Sequence, residues 1–377
     1  MTAPQVQIML VSAQAAPNLL AALDPGMKPR EAVLLVSSKM QAQADALQKV
    51  FQETGIRSHR VPLPDEHNME ALETALLDVA SRFDGAGISL NVTGGNKLMA
   101  LAAQAVAQAA SWPVFYVDVD TDQIIWLDKN RPPQALSQNL RLNHYLRGYG
   151  FGLERGIDRP QPNAAWKALM EDLVVNVNLF QEAIGQLNYL SQQGQQKLRV
   201  ELTERQLDSR GLENILRKFE DTNILQLKGN ILSFPSEGAR IFANGGWIEH
   251  HVYQTVTQVT GELGIRDKAA NLQVRHTDGQ PNEMDVAFLA RNRLFVIECK
   301  TARMDNPDDL KANDTLYKLA ENCRRIGGLG TSGMLVTYRP LRDPELRLAK
   351  ALRVEVVAGA ALARLDERLK QWVRPRA

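Results

Sequence analysis

Three apolar runs near the start of the chain, "VQIMLVS", "AVLLVSS" and "GISLNVT", are continuous rather than alternating, and this predicts strands buried on both faces of a parallel sheet. "VFYVDVDTDQIIWL" predicts two further strands around an Asp-Thr-Asp turn. Between the runs, "MQAQADALQKVFQETG" and "NMEALETALLDVASRF" carry apolar residues at helical spacing, and "KLMALAAQAVAQAA" is a helix by propensity and period. Strand–helix alternation of this kind predicts a Rossmann-like α/β domain over residues 1–145. The following "DKNRPPQALSQNLRLNHYLRGYGFGLERGIDRPQPN" is polar, with prolines and glycines, and predicts a linker with little structure of its own.

The pattern changes again over residues 146–240, the linker and a set of helices that ends in the hairpin "NILQLKGNILSF", turned at Gly229 and Asn230. Helices followed by a small hairpin are winged-helix-like. The helix "RGLENILRKFED" mixes acids with bases, so a scaffold between domains fits better than a nucleic-acid reader. Residues 241–377 predict a second α/β domain: a helix "GGWIEHHVYQTVTQVTGEL", a hairpin, another helix, a strand "SGMLVTY" and a closing strand–helix unit.

The hairpin of this last domain, "NEMDVAFLARNRLFVIECKT", carries the candidate chemistry. A two-residue turn at Arg291-Asn292 pairs Ala290 with Arg293, and then Asp285 falls opposite Glu298 and Glu283 opposite Lys300. Alternation puts Glu283, Asp285, Glu298 and Lys300 on one face. Met284, Val286, Phe288, Phe295, Ile297 and Cys299 fall on the other, which is wholly apolar. Three neighbouring carboxylates repel one another unless a divalent cation joins them, and oxygen ligands suit magnesium or manganese. A lysine beside such a metal can orient water or stabilise charge on a phosphate, a combination suited to phosphodiester hydrolysis. Ordinary ion pairs on a solvated strand face are the competing reading.

These residues resemble the core of PD-(D/E)xK nucleases, which implies a restriction-endonuclease-like fold for the C-terminal domain. The resemblance places Asp285, Glu298 and Lys300 in the motif, with Glu249 of "GGWIEHHVY" as the acid on the preceding helix. Met284 stands where the family's proline is usual. Asp285, Glu298 and Glu249 are then the expected metal ligands, with Glu283 a further candidate. Lys318, on the helix "LYKLAENCRRIGG", is a candidate contact to substrate phosphate, or simply part of a solvated face. His250 and His251 are adjacent on a helix and point apart, so they form no metal pair at i, i+4 spacing.

In the first domain, "ISLNVTGGNKLMALAAQAV" reads as strand, glycine turn and helix. The turn, Thr93-Gly94-Gly95-Asn96-Lys97, sets a helix N-terminus and a lysine where a phosphate could approach the backbone. A plain tight turn capped by Thr93 or Asn96 is the alternative. A strand, "TGGNK" and helix in a terminal Rossmann-like domain resembles the CARF domain of CRISPR-associated proteins. CARF domains bind cyclic oligoadenylates. Joined to a PD-(D/E)xK domain, the arrangement resembles the CRISPR ancillary nucleases of type III antiviral defence, activated by cyclic tetra-adenylate. That resemblance implies a homodimer with the messenger across its two-fold axis and DNA as substrate, with RNA a second candidate. Ligands of such sheets lie at the carboxyl ends of the strands, which adds Ser12, Gln14 and Asn18 in one loop, and Ser38 and Lys39 in another, to the expected ligand-binding set.

Composition narrows the alternatives. Net charge is +1, so any nucleic-acid site is a local patch. Two cysteines, Cys299 and Cys323, offer neither a disulfide framework nor a zinc site. The absence of a basic leader and of a long apolar run points to a cytoplasmic protein without a membrane span. A nucleotide-sensing transcriptional regulator would need a basic recognition helix and could dispense with the acidic cluster. A repair or restriction nuclease would need no messenger.

Overall fold

A computed structural model describes residues 5–63, 67–83, 85–137, 140–154, 162–304 and 310–374. The first domain contains β1 (Val6–Leu10), α1 (Ala16–Leu23), β2 (Glu31–Ser37), α2 (Gln41–Glu53), β3 (Arg57–Leu63), α3 (Met69–Arg82), β4 (Ile88–Asn91), α4 (Lys97–Ala109), β5 (Val114–Asp118), β6 (Gln123–Trp126) and β7 (Gln134–Ala135). They form a sheet of order β3-β2-β1-β4-β5-β6-β7, parallel as far as β5. β6 and β7 return antiparallel around the expected Asp-Thr-Asp turn. Strand order reverses between β1 and β4. Ligands of open α/β sheets bind at the carboxyl ends beside such a switch point. Sequence patterning found the apolar strands but not β3. "RSHRVPL" is an edge strand, largely half-exposed, where charges and Pro62 are tolerated.

The expected linker is corrected in part. Its described residues include α5 (Leu142–Gly148) and β8 (Phe151–Leu153), and Tyr145, Leu146 and Phe151 are fully buried. Residues 155–161 of that stretch lie outside the described residues. Next come α6 (Ala164–Val175), α7 (Val177–Gln193), β9 (Arg199–Glu201), α8 (Glu204–Leu207), α9 (Arg210–Glu220), β10 (Gln226–Lys228) and β11 (Ile231–Ser233). A three-stranded sheet of order β10-β11-β9 completes a winged-helix-like module with its turn at Gly229-Asn230. On α9, Arg217 pairs with Glu213 at 2.8 Å, and Lys218 pairs with Asp172 of α6 at 2.8 Å, which leaves no clean basic face.

The last domain holds α10 (Glu237–Ile241), α11 (Trp247–Gln258), α12 (Thr260–Leu263), β12 (Ile265–His276), β13 (Pro281–Ala290), β14 (Arg293–Lys300), α13 (Lys311–Gly327), β15 (Ser332–Thr337), α14 (Asp343–Ala351), β16 (Val354–Ala358) and α15 (Leu365–Val373). Its sheet runs β16-β15-β14-β13-β12-β8, so the supposed linker supplies an edge strand to it. Val286, Phe288, Phe295, Ile297 and Cys299 pack with Val252 and Val256 of α11 and with Leu173 and Ile184 of the middle module. Ala287, Leu289, Leu294 and Val296 face the other way, into a cluster that also contains Met9 of β1 and Val11 just after it. The sensor-like domain and the C-terminal sheet therefore share one core. No described helix is long and apolar enough to cross a membrane.

Candidate functional site

The tip of the hairpin forms as its sequence predicts, but Met284, expected on the apolar face with Val286, packs instead in the cluster of Ala287 and Leu289, and the ladder stops short of the expected Asp285–Glu298 and Glu283–Lys300 pairs. Ala290 pairs with Arg293, and Arg291 and Asn292 both adopt positive φ, 50° and 55°, as a two-residue turn of this hand requires. Asn292 Nδ2 donates to Asp122 Oδ1 at 3.0 Å, and that contact from the first domain helps hold an otherwise unfavoured turn pair. From this tip the ladder runs to Val286 opposite Ile297. One step further the Asp285 side chain takes over, and Cys299 N–H donates to its Oδ2 at 2.7 Å.

Four charges meet there. Burial pushes the Asp285 carboxyl well above the usual carboxylate range, and Glu298 and Glu249 push it further. Lys300 and the Cys299 N–H oppose the rise without cancelling it. Lys300 Nζ lies 2.5 Å from Glu298 Oε1. Burial alone would lower the Lys300 ammonium, but Glu298 and Asp285 outweigh it and the group is raised, so lysine stays charged. Glu249 comes from the first turn of α11. Glu283 is not part of this cluster: it is exposed, pairs with Gln273 of β12, and is not among the charges acting on Asp285. Lys318 is exposed on α13. His251 is pushed down to about 4 by burial, which makes it a neutral packed imidazole.

Hard carboxylate oxygens that repel one another in a desolvated pocket fit magnesium or manganese in kind. Among the described residues, no three His, Cys, Asp or Glu side chains stand close enough to hold a metal ion as they are placed. Instead, Lys300 pairs with Glu298.

Two neighbours were invisible to sequence patterning. Thr301, directly after Lys300, accepts from Asn188 Nδ2 of α7 at 2.9 Å. Gly245, at φ 100°, lies so near that a Cβ there would meet Thr301 Oγ1 at 2.1 Å. The middle module is thus a wall of the site as well as a scaffold. Only the "NGG" before α11 hints at it, as a backbone break.

In the first domain, the expected ligand loops follow the carboxyl ends of β2, β1 and β4. A Cβ on Gly94 would fall 2.0 Å from the Leu10 carbonyl oxygen, so only glycine fits, and Gly95 has φ 69°. Asn96 caps α4 by accepting from Met99 N–H at 2.9 Å, and Lys97 is exposed in the first turn, where no acid offsets it. Thr93 Oγ1 donates to Asn91 Oδ1 at 2.6 Å and accepts from Val117 N–H at 2.7 Å. Ser38 and Lys39 are exposed after β2. Asn18 is 1% exposed, donates to Leu10 O at 3.0 Å and accepts from Asn91 at 3.0 Å, so it braces the loop from behind. Ser12 is half-buried. Gln14 lies against Gly328, in the other domain.

One chain thus joins a glycine turn and helix N-terminus at the switch point of a Rossmann-like sheet to a half-buried Asp-Glu-Lys cluster, the layout of a ligand-binding domain fused to a nuclease-type domain. Comparison with known proteins is consistent with this: residues 6–145 match the family model of the Card1 CARF domain, and residues 236–376 match that of the Card1-like endonuclease domain. None of the curated proteins matches it in sequence. Protein VC1899 from Vibrio cholerae is 27% identical with a TM-score of 0.90, over 98% of this chain and 99% of that one. Can2 from Sulfobacillus thermosulfidooxidans, solved in complex with cyclic tetra-adenylate, is 24% identical with a TM-score of 0.83, again over 98% and 99%. A type III CRISPR defence DNA nuclease activated by cyclic oligoadenylate shares the fold at 20% identity and a TM-score of 0.59, over 91% of this chain and 46% of that one.

Proposed function

We propose that this protein is a metal-dependent endonuclease of type III CRISPR antiviral defence, switched on by cyclic tetra-adenylate and acting as a homodimer on DNA, with RNA a second candidate substrate. The observation that carries the reading is the coexistence, in one chain with a shared core, of the glycine turn at a switch point and the half-buried Asp285–Glu298–Lys300 cluster. The α4 N-terminus and Lys97 would receive messenger phosphates, supported by Gly94 and Gly95, with Ser12, Ser38 and Lys39 on neighbouring loops. A two-fold symmetric ring suits the same edge presented twice by a dimer.

In the nuclease domain, Asp285, Glu298 and Glu249 would hold magnesium or manganese. That metal would supply an activated water and charge stabilisation at phosphorus. Asp285 is fixed by the Cys299 N–H. Lys300, kept cationic by its carboxylate neighbours, is placed to stabilise developing negative charge on the phosphate once Glu298 turns away. Lys318 is a candidate phosphate contact along α13. An always-open site would attack the host's own nucleic acid, which gives messenger control a physical purpose.

The test incubates supercoiled plasmid and, separately, single-stranded RNA with the full chain and manganese, with and without each cyclic oligoadenylate. Cleavage that requires cyclic tetra-adenylate is expected. Equal cleavage without any messenger would favour a repair or restriction nuclease, and messenger binding with no cleavage of either substrate would favour a regulator.

A further inference from the structure

Gln14 was expected to face the messenger, but its amide packs against the nuclease domain. A Cβ built on Gly328 would lie 2.2 Å from Gln14 Oε1 and 2.8 Å from both Cδ and Nε2, so the side chain rests on the Gly328 backbone. Gly328, at φ 63°, ends α13 and leads into β15. The preceding residue is held from the same side, because Tyr145 donates its hydroxyl to Gly327 O at 3.0 Å. Tyr145 stacks on Tyr149 with ring centroids 5.3 Å apart, and Tyr149 accepts from Ala16 N–H at 3.4 Å, next to the Gln14 loop.

The contacts on either side of Gln14 are continuous. Toward the sensing edge, Ser12 Oγ donates to Gln14 O at 3.2 Å and accepts from Gln14 N–H at 3.3 Å. Gly94 touches the same turn, since a Cβ there would meet Leu10 O at 2.0 Å and Ser12 Oγ at 3.5 Å. Toward the chemistry, Gly328 leads into β15, which pairs in parallel with β14: Leu335 opposite Glu298 and Thr337 opposite Lys300. One short side chain therefore separates the glycine turn's neighbour from the strand beside the catalytic residues.

We propose that Gln14 is a coupling residue that transmits occupancy of the CARF edge to the Gly328 turn, and through β15 and α13 to Glu298, Lys300 and Lys318. This rests on the messenger-activated reading above. Gln14 acts through the Gly328 backbone rather than on messenger or substrate. Its loss should therefore limit how far activation goes however much messenger is supplied.

The experiment measures messenger affinity by calorimetry, and the ratio of plasmid cleavage at saturating messenger to cleavage without it. It uses the full-length wild type, Gln14→Ala and Gly328→Ala. For Gln14→Ala, the ratio measured at messenger concentrations shown by calorimetry to saturate the protein is expected to collapse by about tenfold or more, and excess messenger to fail to restore it. Gly328→Ala strikes the same contact from the nuclease side and should give the same collapse, which excess messenger again fails to restore. A Gln14→Ala protein that loses affinity but regains the full ratio at saturation would make Gln14 a messenger contact and overturn the proposal. An unchanged ratio in either variant would also overturn it. Should the wild type itself respond to no cyclic oligoadenylate, the functional reading fails first, and the coupling role falls with it.

Discussion

Replacing Gly94 with alanine tests the sensing edge at its tightest point. The new Cβ would sit 2.0 Å from the Leu10 carbonyl oxygen and 3.1 Å from its carbon. Ordinary contact lies near 3.4 Å, so the turn must retreat by roughly 1.4 Å or prise β4 from β1. Leu10 is fully buried at the end of a central strand and gives little, so the turn moves and carries the α4 N-terminus and Lys97 with it. Overpacking of this kind costs about 1–3 kcal/mol of stability. A displacement of that size also breaks at least one charge-assisted hydrogen bond to a phosphate, worth about 1.5–3 kcal/mol, which weakens binding by about tenfold to a hundredfold or more. The assay is calorimetric titration of cyclic tetra-adenylate into wild type and Gly94→Ala, with a melting curve for each. Gly229→Ala is the control: its φ is 61° but nothing lies within 4 Å of the new methyl, so it bears backbone strain alone and should bind normally. If Gly94→Ala melts lower yet binds within threefold of wild type, this turn does not cradle the messenger.

Lys97→Ala should weaken messenger binding by about tenfold to a hundredfold but reach wild-type cleavage once messenger is saturating, because a weaker activator still populates the same active state; titration of plasmid cleavage reads this. Glu298→Ala should abolish cleavage at any messenger concentration while calorimetric messenger affinity stays within threefold. Normal cleavage by that variant in magnesium or manganese would refute the assignment of the hairpin. Asp122 makes a pH prediction: burial raises its carboxyl from 3.8 to about 6, against the lowering effect of the Asn292 hydrogen bond. The folded state therefore binds the proton more tightly, so this contribution to stability is complete below pH 3.8 and is lost as pH rises through about 6. The shift converts to about 3 kcal/mol, which screening of a partly exposed group reduces to about 1–2 kcal/mol. Asp122→Asn, which keeps an acceptor for Asn292, should gain that amount over wild type at pH 7.5 and little at pH 4.5 in urea unfolding; a gap that does not change with pH would contradict the burial argument.

The hairpin was legible because its chemistry is local. Two-fold alternation fixed which residues share a face, and the Arg291-Asn292 turn fixed the register, so Asp285, Glu298 and Lys300 could be placed together from spacing alone. Glu283 obeyed the same alternation and still fell outside the cluster, because it lies past the point where the ladder yields to the Asp285 side chain. β12 was missed for a different reason. Ile265 and Val274 are its buried apolar positions, most of the residues between are half-exposed, and a register shift between Ile265 and Asp267 breaks the period. α5 and β8 were hidden among prolines and glycines, since their burial comes wholly from partners distant in sequence, such as Val274 and Gly327. No single-chain pattern could show that Asn188 meets Thr301, a contact spanning 113 positions.

The shared core changes what activation must do. Met9 and Val11 of the sensing sheet and Val296 and Leu335 of the catalytic sheet belong to one apolar cluster, so the domains cannot swing freely on a tether. Apolar packing is non-directional and permits small sliding, whereas register across the seam is set by a few polar contacts: Asn292 to Asp122, Leu142 N–H to Asp267 at 2.9 Å, Arg141 to the Arg266 carbonyl at 2.9 Å, and Tyr145 to Gly327. A two-state shift along such a seam suits a small messenger. Moving a population from 1:99 to 99:1 takes about 5.5 kcal/mol of preferential binding. Two to four charge-assisted phosphate contacts, made only in the active arrangement, supply about that much. On the proposed function, a ring with four phosphates held by two copies of the Gly94–Lys97 turn would have enough such contacts to drive the shift with no rearrangement of β13 and β14 beyond freeing Glu298 from Lys300.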